Sequence, residues 1–205
     1  MHSGMSRMIK LKHFATPLLM CMATMAVAQT TYKVDAKETR MVWTGKKLTG
    51  QHQGGVNVSS GSVQWGAVGL ESAEVVMDMT SISTTDMDAE YGGQLERQLK
   101  SSDFFNTGTF KTASFATTKV EPIIGVEAGK PNYNVTGDLT IKGISKPVSL
   151  AVLAWKDKKG VRAAGTLAFD RTLYDIKYRS GQFFPGLGDK MIEDMVEITF
   201  DLTAK

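Results

Sequence analysis

The chain has 205 residues, 42% hydrophobic and 22% charged, an ordinary composition for one globular domain. From residue 29 onward basic and acidic side chains balance at 21 each, so no net field favours nucleic acid as a partner. The same stretch has no cysteine and a single histidine, His52, which excludes disulfides, a cysteine nucleophile and a His/Cys zinc site.

The first 28 residues read differently from the rest. Arg7, Lys10 and Lys12 precede an apolar run from Phe14 to Val27 that closes on Ala26-Val27-Ala28. A basic start, a short apolar middle and an A-x-A end predict a secretory signal peptide, 1–28, cut after Ala28, and hence a periplasmic location. The run is too short for a spanning helix. Cys21 follows the large Met20 rather than a small residue, so it is read as part of the apolar run and not as a lipidation site. The domain proper is then 29–205.

Within it, Thr31–Asp35 and Glu38–Leu48 read as strands. "GQHQGGVNVSSGSVQW" reads as strand, turn at Ser59-Ser60-Gly61, and strand. "SAEVVMDMTSI" puts Val75, Met77 and Met79 on one parity, another strand. The period then changes: Tyr91, Leu95 and Leu99 fall four apart, predicting a helix of two to three turns from about Gly93. "SSDFFNTG" is a loop, and "TFKTASFATTKVEP" is a strand ending at Pro122.

The clearest alternation lies in "YNVTGDLTIKG". Tyr133, Val135, Leu139 and Ile141 share one face, with Gly137 among them. "GISKP" reads as a turn, "VSLAVLAW" as a strand and "KDKKG" as a turn. "VRAAGTLAFD" repeats the pattern with Leu167, Phe169 and Gly165 on the apolar side. A long loop over 171–190 precedes a last strand carrying Ile198 and Phe200; Asp170, Arg171 and Asp189 are expected to hold that loop by ion pairs or turn hydrogen bonds. Short strands at regular spacing with one helix predict an all-β fold: an antiparallel β-barrel of about eight strands and one short helix.

Chemical motifs are scarce. Asp86, Asp88 and Glu90 alternate as in a calcium loop, but Tyr91 stands where that loop needs glycine and Arg97 where it needs a bidentate Glu. No G-x-S-x-G, Walker or G-x-G-x-x-G pattern occurs, so neither a serine elbow nor nucleotide binding has support. What remains is an apolar interior. A membrane barrel shows similar alternation, yet the helix stripe needs a partner surface and the strand ends lack aromatic girdles. Gly137 and Gly165 mark either bends in the sheet or space for a ligand. On the second reading Gly137→Ala is mild and Gly137→Leu displaces ligand.

Four stretches, "YKVDAKETRMVWTGKKLTGQHQGGV", "QLKSSDFFNTGTFKTASF", "VTGDLTIKGISKPVSL" and "LYDIKYRSGQFFPGLGDKMIEDMVEITFDL", resemble the YceI-like family of bacterial periplasmic lipid-binding proteins, in order and over nearly all of 29–205. The resemblance implies an extended, lipocalin-like barrel whose apolar pore holds a polyisoprenoid or similar long-chain lipid, with no catalysis, metal or cofactor. It implies no stable membrane insertion, and is compatible with a homodimer. In the second strand, "VWTGKKLTGQHQGG", only His52 matches the histidine often found there. The expected lining is Val135, Gly137, Leu139, Ile141, Leu167, Phe169, Ile198 and Phe200, joined by Phe104, Phe105, Phe110, Phe115, Tyr178, Phe183 and Phe184 from the aromatic loops. Two other readings stand beside it: a lipid-modifying enzyme using His52 as base, and a filled-core, stress-related interaction protein.

Overall fold

A computed structural model describes residues 29–205; the predicted signal peptide and Cys21 lie outside the described residues. Ten strands form one antiparallel sheet: β1 (Thr30–Lys33), β2 (Arg40–Lys47), β3 (Gly50–Gly55), β4 (Asn57–Gly66), β5 (Gly69–Asp78), β6 (Thr112–Pro122), β7 (Tyr133–Ile141), β8 (Ile144–Asp157), β9 (Gly160–Asp170) and β10 (Ile192–Ala204). Their order in the sheet is β1-β4-β5-β6-β7-β8-β9-β10-β2-β3. The barrel class is as expected; the strand count is ten, not about eight. The short strands β1 and β3 lie within stretches already read as strands, so the difference is in the count for the barrel rather than in where strands occur.

β7 shows the logic of the wall. Its odd-numbered residues, Tyr133 to Ile141, are buried, and its even-numbered ones face outward. It turns into β8 through Lys142 and Gly143, both at positive φ (51° and 73°), a two-residue hairpin that suits the twist of the strands. The predicted five-residue turn over 143–147 is therefore shorter, and Pro147 sits in β8 opposite Asp138. The predicted turn at Ser59 is a bulge within β4, where the register shifts between Val58 and Ser60.

The sheet closes on itself through β10. One side of β10 pairs with β9, and the other pairs with β2 as far as Asp201. Beyond that point β1 takes over: Lys33 and Lys205 exchange backbone hydrogen bonds of 2.8 Å, and Val34 bridges Ala204. This joins the β1 edge of the sheet back to β10 and closes the barrel at one end. At the other end the segment after β5 covers the edge of β3, with Ser83 N–H donating to Gly55 O and Thr85 N–H to Gln53 O.

That segment leads into α1 (Ala89–Lys100), which starts four residues earlier than its apolar stripe predicts. The cause is Asp88, whose carboxylate accepts from the N–H groups of Glu90 and Tyr91 and caps the helix. The acidic run that resembles a calcium loop is thus a helix start. α1 is pinned to the barrel where the Glu96 carboxylate accepts from Thr84 N–H at 2.8 Å.

Apolar side chains form two clusters along the barrel. One lies at the closed end around Val63, Leu70, Val135 and Val161. The other lies beneath α1 around Met77, Leu99, Phe104, Leu139 and Phe169.

The closing seam carries a pH dependence. The Asp35 carboxylate accepts from Lys205 Nζ at 3.0 Å and from the N–H groups of Glu38 and Lys37. The Lys205 bond, then the Glu38 N–H, hold its pKa below the ordinary 3.8. A depressed carboxylate contributes stability that is complete above about pH 4 and is lost as pH falls through the lowered value. Asp35→Asn is expected to flatten the acid limb of a plot of Tm against pH below 4. An unchanged limb would show that the seam does not set acid stability.

Candidate functional site

The barrel encloses a cavity of about 620 Å³ running through both apolar clusters. Its far end is walled by Val63, Leu70, Val135, Val152, Ala163 and Leu202, from the side that β1 closes. Its near end opens between α1, the β2–β3 hairpin and the start of β10, where Lys46, Lys47, His52, Arg179, Asp189 and Lys190 stand on the wall.

Hydrogen-bonding groups inside are already used. Thr117 Oγ1 accepts from Ala73 N–H at 3.0 Å. Thr39 Oγ1 donates to Thr203 O at 3.4 Å and accepts from its N–H at 3.2 Å. Trp43 Nε1 donates to Ser83 O at 3.0 Å. Away from the opening, a wall this apolar offers dispersion and area burial and little with which to read a ligand's chemistry.

Most of the expected lining residues meet on this wall. Val135, Leu139 and Ile141 come from β7, Leu167 and Phe169 from β9, and Ile198 and Phe200 from β10; Phe115 projects from β6, and Phe104 and Phe105 from the loop after α1. Gly137 does not join them. A methyl group there would stand 2.5 Å from the Phe115 ring and 2.5 Å from the Ala116 carbonyl oxygen. The space left by Gly137 belongs to Phe115, and β6 bulges between Thr117 and Lys119 alongside it. Gly165 plays the same part for Phe200, whose ring lies 3.0 Å from where a methyl would stand. Bare backbone lets each ring lie flat against the sheet.

Four further aromatic positions also fall off the wall. Phe110 packs beside the Lys142-Gly143 turn. Tyr178 lies against Phe104 with ring centres 5.4 Å apart and does not line the cavity. Phe183 and Phe184 are 42% and 48% exposed on the long loop. An aromatic in a loop carries no parity, so no periodicity tells the inner from the outer ones. Sequence reasoning passed over Met41, Trp43, Met77, Leu95 and Leu99, which do line the cavity. Their signals were present, as strand parity for the first three and as the helix stripe for the two leucines.

The long loop is fastened by Arg171, which is 1% exposed. Its guanidinium donates to the carbonyls of Glu193, Ile176, Tyr178 and Ile192 at 2.9–3.1 Å and to Asp194 at 3.2 Å. Burial lowers its pKa, opposed by the Asp194 and Asp170 carboxylates. Asp170 caps the turn that follows, accepting from Thr172 N–H at 2.8 Å. His52 sits at the opening with Nδ1 3.2 Å from an Asp86 oxygen that also accepts from Gln53 N–H. The pair ties β3 to the segment preceding α1.

Residues 32–204 match the family model for the YceI-like domain. The chain belongs to the YceI-like family. A UPF0312 protein of Vibrio vulnificus is 32% identical over 93 residues, 44% of this chain and 46% of that one. A UPF0312 protein of a Shewanella strain is 29% identical over 134 residues, 62% of this chain and 65% of its own. The matched segments thus span about half to two thirds of these curated relatives. Among solved structures, Burkholderia cenocepacia BcnA superposes with a TM-score of 0.65 at 23% identity, over 82% of this chain and 98% of that one. A polyisoprenoid-binding domain from Saccharophagus degradans superposes with a TM-score of 0.57 at 16% identity, over 85% and 97%. At these identities the likeness is one of fold. The YceI-like chain described here shares that barrel, and its fold carries a lumen rather than a filled core.

Proposed function

We propose that this protein holds a polyisoprenoid or similar long-chain lipid in the barrel lumen, without chemistry, after export to the periplasm. The observation that carries the reading is the enclosed apolar cavity of about 620 Å³ whose inner polar atoms are already bonded. The binding named for the Saccharophagus degradans domain of the same fold supports it. So does family membership. Among the described residues no helix is long and apolar enough to cross a membrane.

Each buried CH₂ contributes about 0.8 kcal/mol, so a five-carbon prenyl unit adds roughly 3–4 kcal/mol at most. Association and chain ordering cost on the order of 4–15 kcal/mol, so a few buried units already give useful affinity. A lumen of this volume suits a ligand of modest size, and a long isoprenoid leaves part of its length outside. The tube selects by width and apolarity, which leaves fatty acids and quinones as compatible cargo.

His52 is assigned no catalytic part, because its Asp86 partner is also engaged in holding β3. Protein recovered from exporting cells is expected to carry a long-chain lipid in native mass spectrometry, on a chain beginning at Gln29. His52→Ala should retain that lipid within a few fold, since about one hydrogen bond, roughly 1 kcal/mol, is lost. A lipid-free protein that also takes up no added lipid would overturn the binding reading. Ester hydrolysis by the wild type that vanishes in His52→Ala would favour the enzyme instead.

A further inference from the structure

We propose that the mouth of the lumen selects lipids that end in an anion, a carboxylate or a phosphate, by seating that terminus among Lys47, Arg179 and Lys190. The inference rests on the lumen reading above and adds a polar end to it. From residue 29 onward the chain is neutral, yet the charged side chains on the cavity wall are unevenly signed. Asp189 is the one carboxylate on that wall among the described residues, against several cations at the opening.

The cations also differ in how they are occupied. Lys46 is committed to Glu197 at 2.7 Å, on the strand pair β2–β10. Lys47, Arg179 and Lys190 form no ion pair within 4.0 Å of any carboxylate among the described residues.

Main-chain register brings these unpaired charges together. Ile192 at the start of β10 stands opposite Lys47 in β2, and its N–H donates to the Arg179 carbonyl at 2.9 Å. Lys47 and Arg179 therefore flank one residue, and Lys190 lies two positions before it. Three elements, the β2 end, the Arg171-fastened loop and the turn before β10, each contribute one cation. The inner wall is overwhelmingly apolar, so the polar terminus of any amphiphile is driven to this rim. An anion arriving there meets cations contributed by three elements of the wall.

The test titrates delipidated protein with oleate, with oleyl alcohol as the neutral isostere, and with inorganic phosphate alone, followed by native mass spectrometry at low salt. Three exposed ion pairs predict that oleate binds about tenfold tighter than the alcohol. That preference should shrink as salt is raised. The Lys47→Gln, Arg179→Gln, Lys190→Gln triple variant should bind the alcohol as the wild type does and lose most of the preference. Equal affinity for oleate and alcohol in the wild type, or a preference unchanged in the triple variant, overturns the anionic rim and leaves the lumen intact. Displacement of oleate by millimolar phosphate also overturns it, since that would mark a free-anion site. If neither chain binds, the lumen reading itself fails.

Discussion

Arg171→Ala is expected to lower the stability of the barrel by about 3–5 kcal/mol, a large share of the 5–15 kcal/mol typical of a folded domain. The arginine is 1% exposed and bonds four main-chain carbonyls and one carboxylate. Truncation strips those acceptors of their partner inside the structure, and the cost is that of leaving buried polar atoms unmatched. Arg171→Lys should recover little, because one ammonium cannot reach both the Ile176 and Tyr178 carbonyls and the β10 carbonyls across the loop. Asp194→Asn should cost less than either, since the remaining amide oxygen can still accept from the Arg171 guanidinium and the amide N–H can donate to Ser180 Oγ. Urea unfolding of the three variants checks this order. If Arg171→Ala and Asp194→Asn were equally mild, the loop would be held by something other than the guanidinium.

Adding the same bulk at two places on the barrel wall should have opposite results. At Gly137 a methyl already meets the Ala116 carbonyl oxygen and the Phe115 ring at 2.5 Å. The backbone oxygen cannot swing aside, so Gly137→Ala is expected to cost about 1–3 kcal/mol, and Gly137→Leu more. This reverses the expectation from alternation alone, in which Ala is mild and Leu displaces lipid. Ala163, by contrast, lies on the cavity wall in β9. Ala163→Phe should place its ring in the lumen, keep the melting temperature of the lipid-free protein near that of the wild type, and abolish most lipid retention. Thermal melts paired with lipid content distinguish the cases. A Gly137→Ala variant as stable as the wild type, or an Ala163→Phe variant that keeps its lipid, would contradict the assignment of packed and open space.

The wall of the barrel was legible because strand parity is a local property. Val135, Leu139, Ile141, Leu167, Phe169, Ile198 and Phe200 all alternate with polar or small neighbours, and all reach the cavity. Gly137 escaped because what fills its space comes from Phe115, a strand away, and register cannot be read from one strand alone. Phe183 and Phe184 escaped for another reason: a loop has no faces, so composition said aromatic without saying where; Phe110 was read into a strand that begins only at Thr112. α1 was visible in its Tyr91, Leu95 and Leu99 stripe, but its start was set by Asp88, a cap that breaks no period. The rim depends on Ile192 meeting Lys47 and Arg179 from different elements, a coincidence of topology that no window of sequence contains.

The seam between β1 and β10 also has a bearing on the order in which the molecule is built. Asp35 and Lys205 lie 170 positions apart and yet touch. Every other neighbouring pair in the sheet except β1–β4 and β10–β2 joins strands consecutive in the chain, so hairpins from β4 to β10 can assemble locally. The ring, however, cannot shut until residues near 205 are free to meet residues near 33. Up to that moment the sheet is an open trough with its apolar face uncovered, slow to close because the loop to be brought together is long. A chain exported as proposed would emerge N-terminus first and leave its barrel open until the last strand arrives. On the binding reading proposed above, that open trough is also where a long apolar ligand would first lie down.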